Sequence, residues 1–246
     1  MEWESPAIVL MTQPFGEADS LASLFTEEQG VVRGLVRGGI SRARSSLFQP
    51  GNILKIRWIG RTPEQLGQFT GEMVHPAAAG AMADRVALTI LQSLAAVTAG
   101  ALPEREAYPA LFPALLRLMV RLPDGEALLP DVVRYECALL AALGYGMDLS
   151  ACAVSGAGDD LEFVSPRSGR AVSVAAAGEW RDRLLKLPPF LRDGDDGGRE
   201  DWLDGLRLTA HFLTRDAFGA VHRPLPAARV MLYDLIESMN SNSTSS

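Results

Sequence analysis

Cysteine, histidine and lysine are scarce in this chain of 246 residues, and each scarcity excludes something. Two cysteines, Cys137 and Cys152, make neither a disulfide framework nor a four-thiolate zinc site. Cys137 falls in an apolar helical pattern and reads as a buried thiol. The three histidines, His75, His211 and His222, are dispersed, and none has the HExxH spacing of a metalloprotease. His211, inside a helical pattern beside Phe212, reads as structural. No Gly-Lys pair exists, so there is no phosphate loop; GAGDDL at 156–161 lacks the third glycine of a dinucleotide fingerprint. AVSGA around Ser155 lacks the first glycine of a nucleophile elbow. No apolar run approaches the roughly 20 residues that cross a bilayer. The opening MEWESPAIVL carries acids where a signal peptide needs a basic segment. The expectation is a cytoplasmic protein with no membrane segment, no cofactor and no catalytic site.

What is present is arginine, unevenly placed. Of 23 basic residues, all but Lys55 and Lys186 are arginines, and the formal net charge is −7. Yet from Gln29 to Pro63 there are basic residues and no acidic one. Overall acidity argues against coating nucleic acid by bulk charge, so any anion site must be local.

The period of the apolar residues changes along the chain. Up to about residue 76, the short runs AIVL, SLASLFT, VVRGLVR, NILKIRWI and LGQFTGE alternate with turn-rich stretches, which predicts five strands closed into a small barrel. In NILKIRWI, Leu54, Ile56 and Trp58 share an inward face; Lys55 and Arg57 share the other with Ile53 and Ile59. In VVRGLVR, Val32 and Val36 point inward, and Arg33 and Arg37 outward. GGISRARSS reads as a flexible loop carrying Arg42 and Arg44, with Phe48 as the exposed aromatic of the segment.

From residue 77 to 239 the period is helical. Met82, Val86, Ile90, Leu94 and Val97 form one seam; Tyr108, Phe112, Leu115, Met119 and Leu122 form another; Leu139, Leu140 and Leu143 follow Pro130 in a third. Further helices are expected near 176–187 with Trp180 and Leu184, near 200–217 with Trp202, Leu206 and Leu213, and near 226–239 with Leu232, Leu235 and Met239. LEFV and AVSV flank a Ser-Pro-Arg-Ser-Gly turn, a β-hairpin within an insert at about 152–175. Residues 240–246 are expected to be disordered. The fold class is therefore α+β: a five-stranded barrel, then a helical domain with a small hairpin insert.

A barrel with an arginine-rich, acid-free surface suits a phosphate backbone. On this reading Arg33, Arg37, Arg42, Arg44, Lys55 and Arg57 contact DNA, and the scarcity of exposed aromatics favours backbone contact over base stacking. Two alternatives stand beside it. The arginines can be a solvated face neutralised by Glu27, Glu28 or Glu64, or the face can dock an acidic protein segment, making the chain an adaptor. The adjacent pairs Asp159–Asp160 and Asp195–Asp196 lie in loops; a metal-dependent nuclease using Asp159, Asp160 and Glu162 is the remaining enzyme reading.

The segment SPAIVLMTQPFGEADSLASLFTEEQGVVRGLVRGGISRARSSLFQPGN resembles the amino-terminal domain of the RecO family of DNA repair proteins. Its marks are Gly16-Glu17 after the opening strand, Leu24-Phe25-Thr26 with Gly30, and the turn from Leu47 to Gly51. Residues 134–173 are similar to the family's long helix and following insert, and the alphaproteobacterial branch is the nearest in pattern. The resemblance implies an OB-fold barrel, single- and double-stranded DNA as ligands, strand annealing, and loading of RecA, together with RecR, onto DNA coated by single-stranded DNA-binding protein (SSB). It also implies an apolar, cation-rimmed site for the acidic SSB tail, for which Arg117, Arg121, Arg134 and Tyr108 are candidates. Many members carry four zinc-binding cysteines around the insert. Here only Cys152 remains, so no zinc is expected and the hairpin must be held by packing of Leu161, Phe163 and Val172.

Overall fold

The computed structural model describes residues 1–62, 65–192, 194 and 196–244, which form two compact units, Met1–Glu126 and a second beginning at Ala127. The first unit opens with strands β1 (Glu2–Phe15), β2 (Asp19–Thr26), β3 (Gly30–Val36), β4 (Ile53–Ile59) and β5 (Gly67–His75). They close a barrel in the order β1-β2-β3-β5-β4. All neighbours are antiparallel except β3 and β5, whose short parallel pairing joins Gly34 to Gly67 and Leu35 to Gln68. The long β1 serves both edges: residues from Ala7 pair with β2, and Glu2 to Ile8 pair with β4. A register shift between Val9 and Met11 lets the strand bend between its partners.

Alternation fills the barrel as expected. Val32, Val36, Leu54, Ile56 and Trp58 are buried together with Ala7, Leu24 and Phe69. Ile53 departs from the pattern: it is buried, near the register shift at the start of β4, whereas Ile59 is exposed. Phe48 is a clear correction. It is 2% exposed and belongs to the barrel core, because burial of an aromatic ring outweighs its place in a polar segment. The expected loop around Arg42 and Arg44 is likewise a short helix, α1 (Arg42–Leu47). Asn52 fixes its end: the buried side-chain amide donates to Ser46 O at 3.0 Å and Leu47 O at 3.1 Å, and its Oδ1 accepts from Ala78 N at 3.2 Å.

Three helices complete this unit: α2 (Ala77–Ala81), α3 (Arg85–Ala101) and α4 (Leu111–Val120). Asp84 caps α3 by accepting from Val86 N at 2.7 Å. The buried seam of α3 begins at Val86; Met82, expected to lead it, is exposed because it precedes the helix. In α4 the Phe112 ring meets Phe25 of β2 edge-on at 5.7 Å, which fastens helix to barrel.

The second unit contains α5 (Leu129–Ala142), β6 (Leu161–Val164), β7 (Ala171–Ser173), α6 (Val174–Ala177), β8 (Leu185–Lys186), α7 (Arg199–Phe212) and α8 (Ala227–Thr244). The predicted hairpin of β6 and β7 is present, and Leu161, Phe163 and Val172 are buried. The helix expected at 176–187 is not formed. A four-residue helix and a 3-10 turn replace it, Trp180 is exposed, and Leu185–Lys186 becomes a third strand on the open edge of β6. Edge pairing there overrides the weak helical pattern. Helix α8 runs to Thr244, past the boundary expected at 239, with Ser241 Oγ donating to Glu237 O at 3.1 Å.

One ion pair organises these helices. Arg229 of α8, 0% exposed, donates through Nε to Glu136 Oε1 of α5 at 2.5 Å and through Nη2 to Oε2 at 3.0 Å. The same Nη2 reaches Leu206 O of α7 at 2.8 Å, and Thr209 Oγ1 donates to Glu136 Oε2 at 2.5 Å. Removing one charge strands the other in an apolar interior. We expect Arg229→Met to lower unfolding free energy by roughly 3–5 kcal/mol in urea titrations. Arg229→Met combined with Glu136→Leu should recover most of that loss.

Candidate nucleic-acid interface

The window without acids in the sequence is not without acids in space. Barrel pairing brings carboxylates to it from neighbouring strands. Lys55 Nζ lies 3.0 Å from Glu4 Oε2, and Arg57 Nη2 lies 2.6 Å from Glu2 Oε1, both acids standing on β1. Arg37 Nη1 is 3.9 Å from Asp19 Oδ2 on β2, and Arg33 Nη1 is 3.5 Å from Glu104 Oε1, which a bridge between Val31 and Glu104 brings alongside β3. The hydrogen bond to Glu4, and then its charge, raise the Lys55 pKa, so the ammonium stays charged through the physiological range. Glu27 and Glu28, the expected neutralising acids, form none of these pairs, and Glu64 lies outside the described residues. Apart from the half-buried Asp19, the partners in these pairs are solvent-exposed, so each pair contributes little to stability and an incoming phosphate can replace the carboxylate.

Arg42 and Arg44 differ. Both are exposed on α1 and make no ion pair among the described residues. Arg44 Nη1 donates to the Arg37 carbonyl, which draws the two arginine-bearing segments together. Asn52 anchors the helix beneath them, so this basic pair rides on a fixed element, not on the flexible loop read from glycine and serine content.

Two further arginines lie outside the six expected contacts, one within the acid-free window and one far from it in sequence. Arg61 is exposed in the β4–β5 connection. Arg105, far from the window in sequence, is tied to β3 through its backbone N, which donates to Val31 O at 2.8 Å. Only strand pairing could have placed it.

The four candidates for a peptide site fall in both units. Arg117 is exposed on α4, Arg121 pairs with Asp124 at 2.9 Å, and Tyr108 is buried. Burial raises the Tyr108 hydroxyl pKa, with Glu106 adding to the effect. Arg134, in the second unit, pairs with Asp131 at 2.9 Å and Asp196 at 3.4 Å, and lies over the Phe190 ring at 5.5 Å.

The residues of the nuclease reading form no metal cluster: among the described residues no three His, Cys, Asp or Glu side chains could hold an ion. Asp195 lies outside those residues. His211 Nε2 is 2.9 Å from Pro166 O and its ring packs edge-on against Phe212, a structural role.

The architecture, a closed five-stranded barrel followed by helices and a small sheet, defines a class of barrel-and-helix proteins. Comparison with known proteins narrows it. Residues 1–77 match the family model described as "Recombination protein O N terminal", and residues 82–223 match "Recombination protein O C terminal". Proteins called "DNA repair protein RecO" are similar over nearly the whole chain. That of Gluconacetobacter diazotrophicus is 54% identical over 245 residues, covering 97% of this chain and 96% of the relative. That of Granulibacter bethesdensis is 54% identical over 242 residues, covering 97% of each chain. A Caulobacter vibrioides relative is 44% identical over 236 residues, covering 95% of this chain and 97% of its own. The chain belongs to the RecO family of DNA repair proteins.

The zinc that this family's pattern implies does not fit the residues present. Cys152 is buried, and its sulfur accepts from Ser173 N at 3.4 Å and Ser173 Oγ at 3.5 Å. Hydrogen bonds from Ser155 and then Ser173 hold the thiol down to about 6. Cys137 is pushed up to about 12 by burial and the Glu136 charge, and so stays protonated. The Sγ of Cys152 thus fastens β7 to the segment before β6 by hydrogen bonds. Elemental assay of purified protein should give well under one equivalent of zinc, and chelator should leave the melting temperature unchanged.

Proposed function

We propose that this protein is a recombination mediator. It binds single- and double-stranded DNA along the barrel, anneals complementary strands and, together with RecR, helps load RecA onto SSB-coated DNA, in the cytoplasm and without catalytic turnover. The observation that carries this reading is the pair Arg42 and Arg44: exposed, without carboxylate partners among the described residues, and fixed on α1 beside Arg37. Arg33, Lys55 and Arg57 extend the track, each joining once a phosphate displaces its carboxylate. Membership in a DNA repair family supports the same reading. The SSB tail would engage Arg117, exposed and without an ion pair among the described residues, together with Arg121 and Tyr108 of the same unit; Arg134, the fourth candidate, belongs to the second unit.

The adaptor reading has one observation in its favour. Four of the six basic side chains already bind carboxylates, so the surface accepts acidic groups from protein. Anisotropy of a labelled single strand against salt separates the two readings. Each phosphate neutralised contributes about −0.7 to the slope of log K against log salt. Arg42→Glu with Arg44→Glu should flatten the wild-type slope by about 1.4. A wild-type response that is flat would leave the adaptor. In the opposite direction, Glu2→Gln with Glu4→Gln frees Lys55 and Arg57, so affinity should rise at low salt.

A further inference from the structure

Beside the basic track, the barrel has a cavity with a different chemistry. Its volume is about 240 Å³, below the range usual for drug-sized ligands, and it is lined by Trp3, Gln29, Val32, Trp58 and Arg105. All five belong to the first unit. The two indoles are nearly parallel, with centroids 5.8 Å apart and planes 13° apart. Trp58 is buried and closely packed: a Cβ on Gly67 would come within 2.2 Å of its ring, so only glycine leaves room for it. Trp3 is partly exposed and caps the stack.

Arg105 is placed there at a conformational cost. Its φ is +64°, the left-handed region that side chains other than glycine and asparagine rarely enter. The segment can lie against β3 only because Gly30 lacks a side chain; a Cβ there would sit 1.8 Å from the Glu106 carbonyl oxygen. The guanidinium donates to Gln65 O at 3.2 Å and has no carboxylate partner among the described residues. Every basic strand residue described above has one. Packing of the barrel does not account for a cation without a carboxylate partner among the described residues, a polar amide and a two-indole stack around one cavity.

We infer that this cavity receives an unstacked base of single-stranded DNA. Trp3 supplies the stacking face on its Trp58 support, Arg105 meets the base or the adjoining phosphate, and the Gln29 amide offers both donor and acceptor to a base edge. This deepens the DNA-binding reading and rests on it. Annealing gains a physical handle: a strand held by one extruded base is released when pairing reclaims that base.

The test compares a labelled oligothymidine with an abasic strand of equal length and charge, using the full chain. Wild type should bind oligothymidine about tenfold more tightly than the abasic strand. Trp3→Leu should bind both strands as wild type binds the abasic one, with the salt slope unchanged, and Trp3→Phe should restore most of the preference. Equal wild-type affinity for the two strands overturns the base pocket while leaving backbone binding intact, as does a preference that survives in Trp3→Leu. This wild-type comparison decides the matter even where Trp3→Leu unfolds. Failure of wild type to bind either strand removes the DNA-binding reading itself, and the pocket with it.

Discussion

The register between β1 and β4 governs more of this molecule than any other single relation. Trp3 stands opposite Trp58, Glu4 opposite Arg57, and Ala7 opposite Leu54. Inward positions therefore pair indole with indole and close the barrel core, while outward positions set carboxylates diagonally across from cations. A slip of one residue would exchange the faces, putting Glu2 and Glu4 into the core and both sides of the strand at fault. One alignment thus sets the hydrophobic seam, the neutralisation of Lys55 and Arg57 and the geometry of the aromatic cavity. The barrel's other constraint is the brief parallel contact of β3 with β5, where two glycines-and-neighbours pairs suffice to close the circle.

Much of this was legible in one dimension. Alternation in NILKIRWI and VVRGLVR reports burial directly, because each strand residue has only two sides to choose from. The helical seams through Val86 and Phe112 are equally local. Lateral neighbours are not local. Glu4 and Lys55 are far apart in the chain, so an acid-free window says little about the charge of the surface it joins. The same limit hid Arg105, which reaches β3 only through the bridge at Val31. Phe48 and the segment of α1 differ from expectation for a related reason: polar flanks and glycines suggest solvent, but the ring packs into the barrel core with residues distant in sequence. Leu185 and Lys186 became a strand because β6 offered unpaired backbone groups, a fact about β6 and not about residues 176–187.

The small sheet of the second unit is held by packing and backbone pairing. Buried Leu161, Phe163 and Val172 supply the apolar contacts, and β8 adds backbone hydrogen bonds along one edge. Cys152 adds a further anchor, its sulfur accepting from Ser173. A metal gives a sharp threshold, present or absent; distributed packing gives a sheet whose integrity varies smoothly with each contact.

The Glu136–Arg229 pair has a temporal side. During synthesis the carboxylate of Glu136 leaves the ribosome 93 residues ahead of its guanidinium partner. Without α8, closing α5 and α7 over that position would bury the carboxylate without its cation, at the cost of an unpaired interior charge or of protonating the group. The barrel unit, whose residues are all made earlier, has no such dependence. A product cut short before Arg229 lacks the cation that Glu136 meets in the folded unit.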